Sequence, residues 1–425
     1  MAGQRTFILG LDGMPYTLLQ DMFLKNRMKN LKNISERGAV KRFNSVIPTI
    51  SSVAWTSYAT GENPAEHNIY GFVDRTANPF SIKIPTSRDR RAETVWSKLS
   101  EEGKRVISIN VPMTYPPEKI NGIMVSCFLC TDIKKATYPP GFYKFLEERQ
   151  YVIDIDAWLV RKSKKAYLEE LVNILEKRFE VAFEIMDQEM WDFFQLHIME
   201  TDRLMHFFWD VISGGGSSEY YCLVDKFFER LDFFIGKLVN KLSKEDRIII
   251  LSDHGFCGIK KEVQMNNWLE SEGLLKFDYP DKRQLTDFLP ESAAYSLLPG
   301  RIFINLEGRE EKGSVPVSRY REFVEDISER LTKLRNPENG ENVIEKVFLR
   351  DNIYAGRYID NSPDIIAHPK DGYDLKGALD SRDIFTNSIL NGMHTYDDAM
   401  LIGVNCDISK INSIDQVAEV LLQSR

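Results

Sequence analysis

The chain has 425 residues, 43% of them hydrophobic, and a formal net charge of −8. That length and apolar content supply a large core, and the acidic balance excludes binding of nucleic-acid polymers through a basic surface. The N-terminal apolar run is too short for a signal peptide and no stretch reaches the ~20 apolar residues of a membrane span, so a cytoplasmic chain is expected.

TFILGL (6–11), bounded by Gly13 and Pro15, reads as a strand, and a helical pattern follows through Leu24. RVISINV (105–111), GIMVSCF (122–128), WDFFQLHI (191–198) and RIIILS (247–252) read as further strands, with helical stretches at 164–188 and 219–242. Continuous apolar strands alternating with helices predict an α/β fold, a mostly parallel sheet covered by helices on both faces. SGGGSS (213–218) reads as a short flexible turn between helices. Segments 129–165 and 258–390 are less regular and richer in Pro, Gly and charge, and are expected to be caps inserted into one domain spanning 1–425. The five cysteines, an odd number in a long chain, argue against a disulfide framework. Cys127 and Cys130 form a CxxC without a second ligand pair and read as small buried residues near a strand end.

In open α/β sheets ligands sit beyond the carboxyl ends of the strands. Asp12 in GLDGMP and Asp253 in LSDHGF stand at two such ends, and His254 is beside the second. Asp202 and His206 in METDRLMHFFW are four apart, a spacing that puts both on one helix face where they can reach a single cation. His394 in NGMHTYDD precedes the apolar run AMLIGV. Taken singly, each has a plain structural reading, since an Asp after a strand is commonly a turn former or cap. Yet three of the six histidines, His206, His254 and His394, lie beside acids or glycines at element boundaries. His67, His197 and His368 are read as structural.

ILGLDGM, PTISSVAWTSYATGENPAEHNIYGF (48–72), METDRLMHFFW, LSDHGF and GMHTYDDAMLIG follow one another in this order. Together they resemble the alkaline phosphatase superfamily, in particular its type I phosphodiesterase/nucleotide pyrophosphatase branch. The resemblance implies an alkaline-phosphatase-like core and two divalent cations. Carboxylates and imidazoles without thiolates suit zinc, with manganese as the competitor. One cation is implied on Asp12, Asp253, His254 and the Ser51 oxygen, the other on Asp202, His206 and His394. An acid and a histidine in sequence can aim at one ion only from a turn, because adjacent side chains of a strand point to opposite faces.

Ser51, ten residues before Gly61, matches the family's Thr or Ser nucleophile at a helix start. Its plain reading is a cap for a helix beginning near Val53, and Thr49 and Ser52 are the neighbouring hydroxyls. The pyrophosphatase relatives usually have Thr at the nucleophile position, and Phe72 stands where they place a phosphate-binding Asn. Asn68 replaces a Gly and is expected to adopt a left-handed backbone. The implied activity is a two-metal phosphohydrolase of the phosphodiesterase/pyrophosphatase type, acting on a small phosphate ester, nucleotide-like or otherwise, through a phosphoseryl intermediate at Ser51. The alternatives are a phosphomonoesterase or a phosphoglycerate-mutase-like phosphotransferase; a sulfatase is discounted because SVIPTISS lacks a C/S-x-P-x-R motif. GRIFINLEGREEKG (300–313) resembles a segment of other superfamily members, and its Arg301 and Arg309 are read as partners of Glu310 and Glu311 in preference to phosphate.

Overall fold

The apolar runs become neighbours in one eight-stranded sheet. A computed structural model describes residues 4–214, 216, 218–278 and 283–423. From one edge the strands are Ala39–Phe43, Ala399–Val404, Arg247–Leu251, Thr6–Leu11, Phe193–Ile198, Val106–Ile109, Gly122–Val125 and Thr137–Tyr138. The five from Arg247–Leu251 to Gly122–Val125 are mutually parallel, whereas Ala399–Val404 and Thr137–Tyr138 run antiparallel to their neighbours. Every residue of Thr6–Leu11 is buried because its two faces enter two different cores. Phe7, Leu9 and Leu11 join the core beneath the long helices, and Ile8 joins the core on the opposite face with Trp55, Val95 and Leu421. A strand covered on both sides has no polar face, which is why its sequence is a run and not an alternation.

The helices begin where the sequence offers caps. Lys164–Gln188 starts after Ser163, whose hydroxyl accepts from the Ala166 amide at 3.1 Å. The stretch 219–242 opens as a short 3-10 turn and continues as Tyr221–Lys241. RVISINV is trimmed to Val106–Ile109, since Asn110 adopts a φ of 64° that no strand continues through. Ser213 and Gly214 form a turn as expected; Gly215 and Ser217 of the same motif lie outside the described residues.

The two irregular segments differ in where they pack. Segment 129–165 supplies the edge strand Thr137–Tyr138 and puts Leu146, Tyr151, Ile153 and Ile155 into the core of the long helices. Segment 258–390 carries its own core around a four-stranded antiparallel sheet and a three-stranded sheet. Gly255–Gly258 pairs antiparallel with Gly392–Thr395 where the chain enters and leaves it. Among the described residues no helix is long and apolar enough to cross a membrane.

Candidate active site

The parallel register brings three carboxyl ends together. Leu11 pairs with Ile198 and Gly10 with Leu251, so Asp12, the start of helix Glu200–Ile212 and the turn Ser252–His254 converge on one patch. Thr201 donates from its hydroxyl to the Asp12 carbonyl at 2.7 Å, tying the helix to that turn. The antiparallel strand Ala399–Val404 begins at the same edge, and the pairing of His394 with Phe256 carries His394 onto His254. Their rings stack with centroids 3.5 Å apart.

All seven residues expected at the site meet there. His254 Nε2 lies 3.3 Å from Asp253 Oδ2 and 3.6 Å from Asp12 Oδ1. Asp202 Oδ1 lies 3.3 Å from both His206 Nε2 and His394 Nε2, which are 3.1 Å apart. Asp12, Asp253 and His254 form one group of possible metal ligands and Asp202, His254 and His394 a second, so the two meet at His254, and His206 Nε2 lies beside the second group without being part of it. His206 Nδ1 is bonded to the Gly392 carbonyl and His254 Nδ1 to that of Gly255, so each ring turns its Nε2 toward the cluster.

A cation fits this donor set. Asp12 Oδ1, Asp202 Oδ1 and Asp253 Oδ2 are buried and turned toward one another, with no well-formed hydrogen bond among the described residues. Burial, followed by the charges of Asp253 and Asp202, raises Asp12 well above the usual carboxylate range, and burial raises Asp253 as well. Burial alone would also raise Asp202, but His206 and His394 hold it well below. Burial and the neighbouring His254 push the His394 imidazole down to about 3, leaving it neutral and able to ligate. Arg203 reaches Asp202 Oδ2 at 3.3 Å, but three buried carboxylates converging on one patch are costly unless further positive charge joins them.

Ser51 is the first residue of helix Ser51–Thr60, and the cap is Ile50, not Ser51. The Ile50 carbonyl accepts from Val53 and Ala54 and closes the first turn, and no side chain caps it. The helix therefore starts two residues earlier than expected. The Ser51 hydroxyl is left to approach His254 Nε2 at 3.1 Å. Thr49 donates instead to the Val46 carbonyl, and Ser52 Oγ is buried without a partner. Gly61 ends the helix at φ 73° and Asn68 sits at φ 64°, the left-handed conformation expected of it.

Two side chains have a larger part than their sequence reading gave them. His197, read as structural, puts Nε2 2.9 Å from Asp12 Oδ2, and Trp55 Nε1 donates to the same oxygen at 3.2 Å. Burial holds His197 down to about 3, so the ring is neutral. Together they orient Asp12 so that Oδ1 faces the cluster. Trp55 is four residues after Ser51, and that helical spacing was a usable signal. Gly13 turns at φ 69° and donates its amide to Asp253 Oδ1; a Cβ there would lie 2.5 Å from the Phe256 ring.

The other assignments fall into place around this cluster. His67 is buried against Ser57 and accepts from the Ile69 amide, a structural role. Cys127 and Cys130 are free and buried. Arg309 does pair with Glu310, and also with Asp364 at 2.6 Å. Arg301 does not: it reaches the Leu298 and Val73 carbonyls and lies 3.6 Å from Asp74, because Arg75 already occupies Glu310. Glu311 accepts from the Phe80 amide.

A cavity of about 270 Å³ opens beside His206 and His394. Thr49, Ile50 and Phe72 form one wall, and Leu298, Ile366 and Leu375 from segment 258–390 form the other. The type I phosphodiesterase/nucleotide pyrophosphatase family model matches residues 6–397. The chain belongs to this family. Membership makes it a phosphoric-ester hydrolase of the phosphodiesterase/pyrophosphatase type. No curated protein sequence matches it. Among solved structures, phosphonoacetate hydrolase from Sinorhizobium meliloti 1021, in complex with phosphonoformate, is 16% identical with a TM-score of 0.68, covering 99% of this chain and 96% of that one. Murine ectonucleotide pyrophosphatase/phosphodiesterase 5, an inactive variant in complex with AMP, is 13% identical with a TM-score of 0.58, covering 98% and 94%. The human counterpart is 14% identical with a TM-score of 0.55, covering 94% and 87%. At these identities the likeness shows a shared fold.

Proposed function

We propose that the chain hydrolyses small phosphodiesters by two in-line displacements, with Ser51 as nucleophile and two divalent cations, zinc or manganese. The observation that carries this reading is the Ser51 hydroxyl, uncapped and 3.1 Å from His254 at the meeting point of the two carboxylate–imidazole groups. Asp12, Asp253 and His254 with Ser51 would hold one cation, and Asp202, His206 and His394 the other. Bound there, the cations would supply Lewis-acid chemistry, lowering the Ser51 hydroxyl pKa and neutralising charge on the phosphate.

The chain's own residues do the rest. In the first step the Ser51 hydroxyl gives up its proton to solvent and its oxygen forms a bond to phosphorus as the ester P–O bond breaks, and the departing alkoxide takes a proton from solvent. In the second, water attacks phosphorus, the Ser51 ester bond breaks and the hydroxyl is restored. The Ser51 and Ser52 amides precede the first intrahelical bonds, those of Val53 and Ala54 to the Ile50 carbonyl, and favour an anion at this end. His197 and Trp55 keep Asp12 oriented throughout. Structures of the same fold in complex with AMP and phosphonoformate support a small phosphorus-bearing ligand, and segment 258–390, which lines the cavity through Leu298, Ile366 and Leu375, would select its organic group.

The test is a hydrolysis panel of aryl phosphomonoesters, phosphodiesters and nucleotides, with each divalent metal added back to chelated protein. Diester cleavage that requires added metal and disappears in Ser51→Ala is the expected result. Faster turnover of monoesters, or turnover unchanged by chelation, would replace this reading.

A further inference from the structure

We infer that the cavity beside His206 and His394 selects phosphodiesters whose organic group is flat, apolar and uncharged, and discriminates against anionic tails such as polyphosphates. The inference rests on the phosphodiesterase reading above and adds the substrate class.

The walls are apolar and partly aromatic. Phe72 presents its ring to the cavity and is fixed edge-on against Phe128, centroids 5.3 Å apart. Tyr396 sits edge-on to His368 at 5.8 Å, giving a second ring surface, with Ile50, Ile366 and Leu375 beside them. Such walls favour a planar apolar group over a hydrated one.

The charges point the same way. Lys376, a lining cation, has its Nζ 2.6 Å from Asp374 and is already neutralised. Burial lowers His368 from its ordinary range, so its ring is uncharged at neutral pH. His206 and His394 are assigned to the cation. Asp371 lines the rim and pairs with no cation among the described residues. Burial raises its pKa, as do Asp397, Glu345 and Asp398, against a single opposing cation, Arg42. A second phosphate or a carboxylate would thus have to compete with Asp374 for Lys376 and would face Asp371.

The experiment compares diphenyl phosphate with bis(4-carboxyphenyl) phosphate on metal-reconstituted protein, with phenol release followed by chromatography. Both ester groups are identical within each substrate, so a flipped binding mode cannot hide the effect. The expected kcat/KM ratio favours diphenyl phosphate by ~10-fold or more, and Asp371→Lys narrows it several-fold while thermal unfolding confirms that the variant is folded. A ratio near one, a preference for the dicarboxylate, or no narrowing in Asp371→Lys overturns the inference. Cleavage of a nucleoside triphosphate but of neither diaryl ester also overturns it, leaving the phosphohydrolase reading intact. Absence of cleavage of every phosphate ester removes both.

Discussion

Ser51→Ala separates chemistry from architecture. The lost hydroxyl caps nothing, since Ile50 closes the first turn, and it hydrogen-bonds His254 at 3.1 Å. Losing a buried hydrogen bond costs about 1–2 kcal/mol, and the better helix propensity of Ala returns a few tenths. In a chain of this length that is a shift of a few degrees at most in the thermal midpoint. Removing the nucleophile should instead lower kcat by a factor on the order of 10³ or more, equivalent to ~4 kcal/mol of barrier. Ser51→Thr keeps a hydroxyl at the same place and should retain activity. The assay pairs steady-state turnover of a phosphodiester at saturating metal with thermal unfolding of both variants. If Ser51→Ala unfolds early yet turns over normally, the nucleophile is elsewhere. Ser52 would then be examined before Thr49, whose hydroxyl is already engaged by the Val46 carbonyl.

His394→Ala removes one of the two histidines beside Asp202 Oδ1 and should weaken one metal far more than the other; equal loss of both ions by elemental analysis would contradict the partition. His197→Phe leaves Asp12 Oδ2 with Trp55 alone, so metal affinity should fall ~10–100-fold by competitive chelation while Ser51 stays in place. Asp364→Asn breaks a buried pair with Arg309 and should cost ~3–5 kcal/mol at pH 7 by denaturant unfolding. Burial works against Asp364, but Arg309 holds its folded pKa below the ordinary value. Its contribution is therefore complete above the unfolded value of ~3.9 and is lost as pH falls through the folded pKa, so the gap between wild type and variant should close in strong acid. A gap independent of pH would show that the pair's charge is not what the substitution removes.

The central sheet was legible because its strands are covered on both faces, which leaves continuous runs such as TFILGL and RIIILS that no alternating or helical pattern imitates. Asp12, Asp202, Asp253 and His254 were legible because they sit one to four residues beyond those runs, where a parallel sheet presents them together, and His206 because it follows Asp202 by one helical turn. His394 was less so: it reaches the cluster through an antiparallel pairing with Gly255–Gly258, a contact about 140 residues away in the chain that periodicity does not carry. The role of His197 was hidden for a similar reason. A histidine inside a buried strand looks structural until the partner of its ring nitrogen is known, and that partner, Asp12, lies 185 residues away. Ser51 looked like a cap because Ser is a good one; the extended Ile50 backbone took that position and freed the hydroxyl. Arg301 was misread because sequence proximity to Glu310 does not reveal that Arg75 reaches the carboxylate first.

The stereochemical course at phosphorus tests the double displacement through Ser51 most directly. A phosphodiester made chiral at phosphorus by sulfur and oxygen-isotope substitution is hydrolysed by metal-reconstituted protein, and the configuration of the product is read by phosphorus NMR. Two in-line displacements invert the centre twice, so net retention is predicted. Net inversion would mean that water attacks the substrate directly and that Ser51 carries no phosphoryl group.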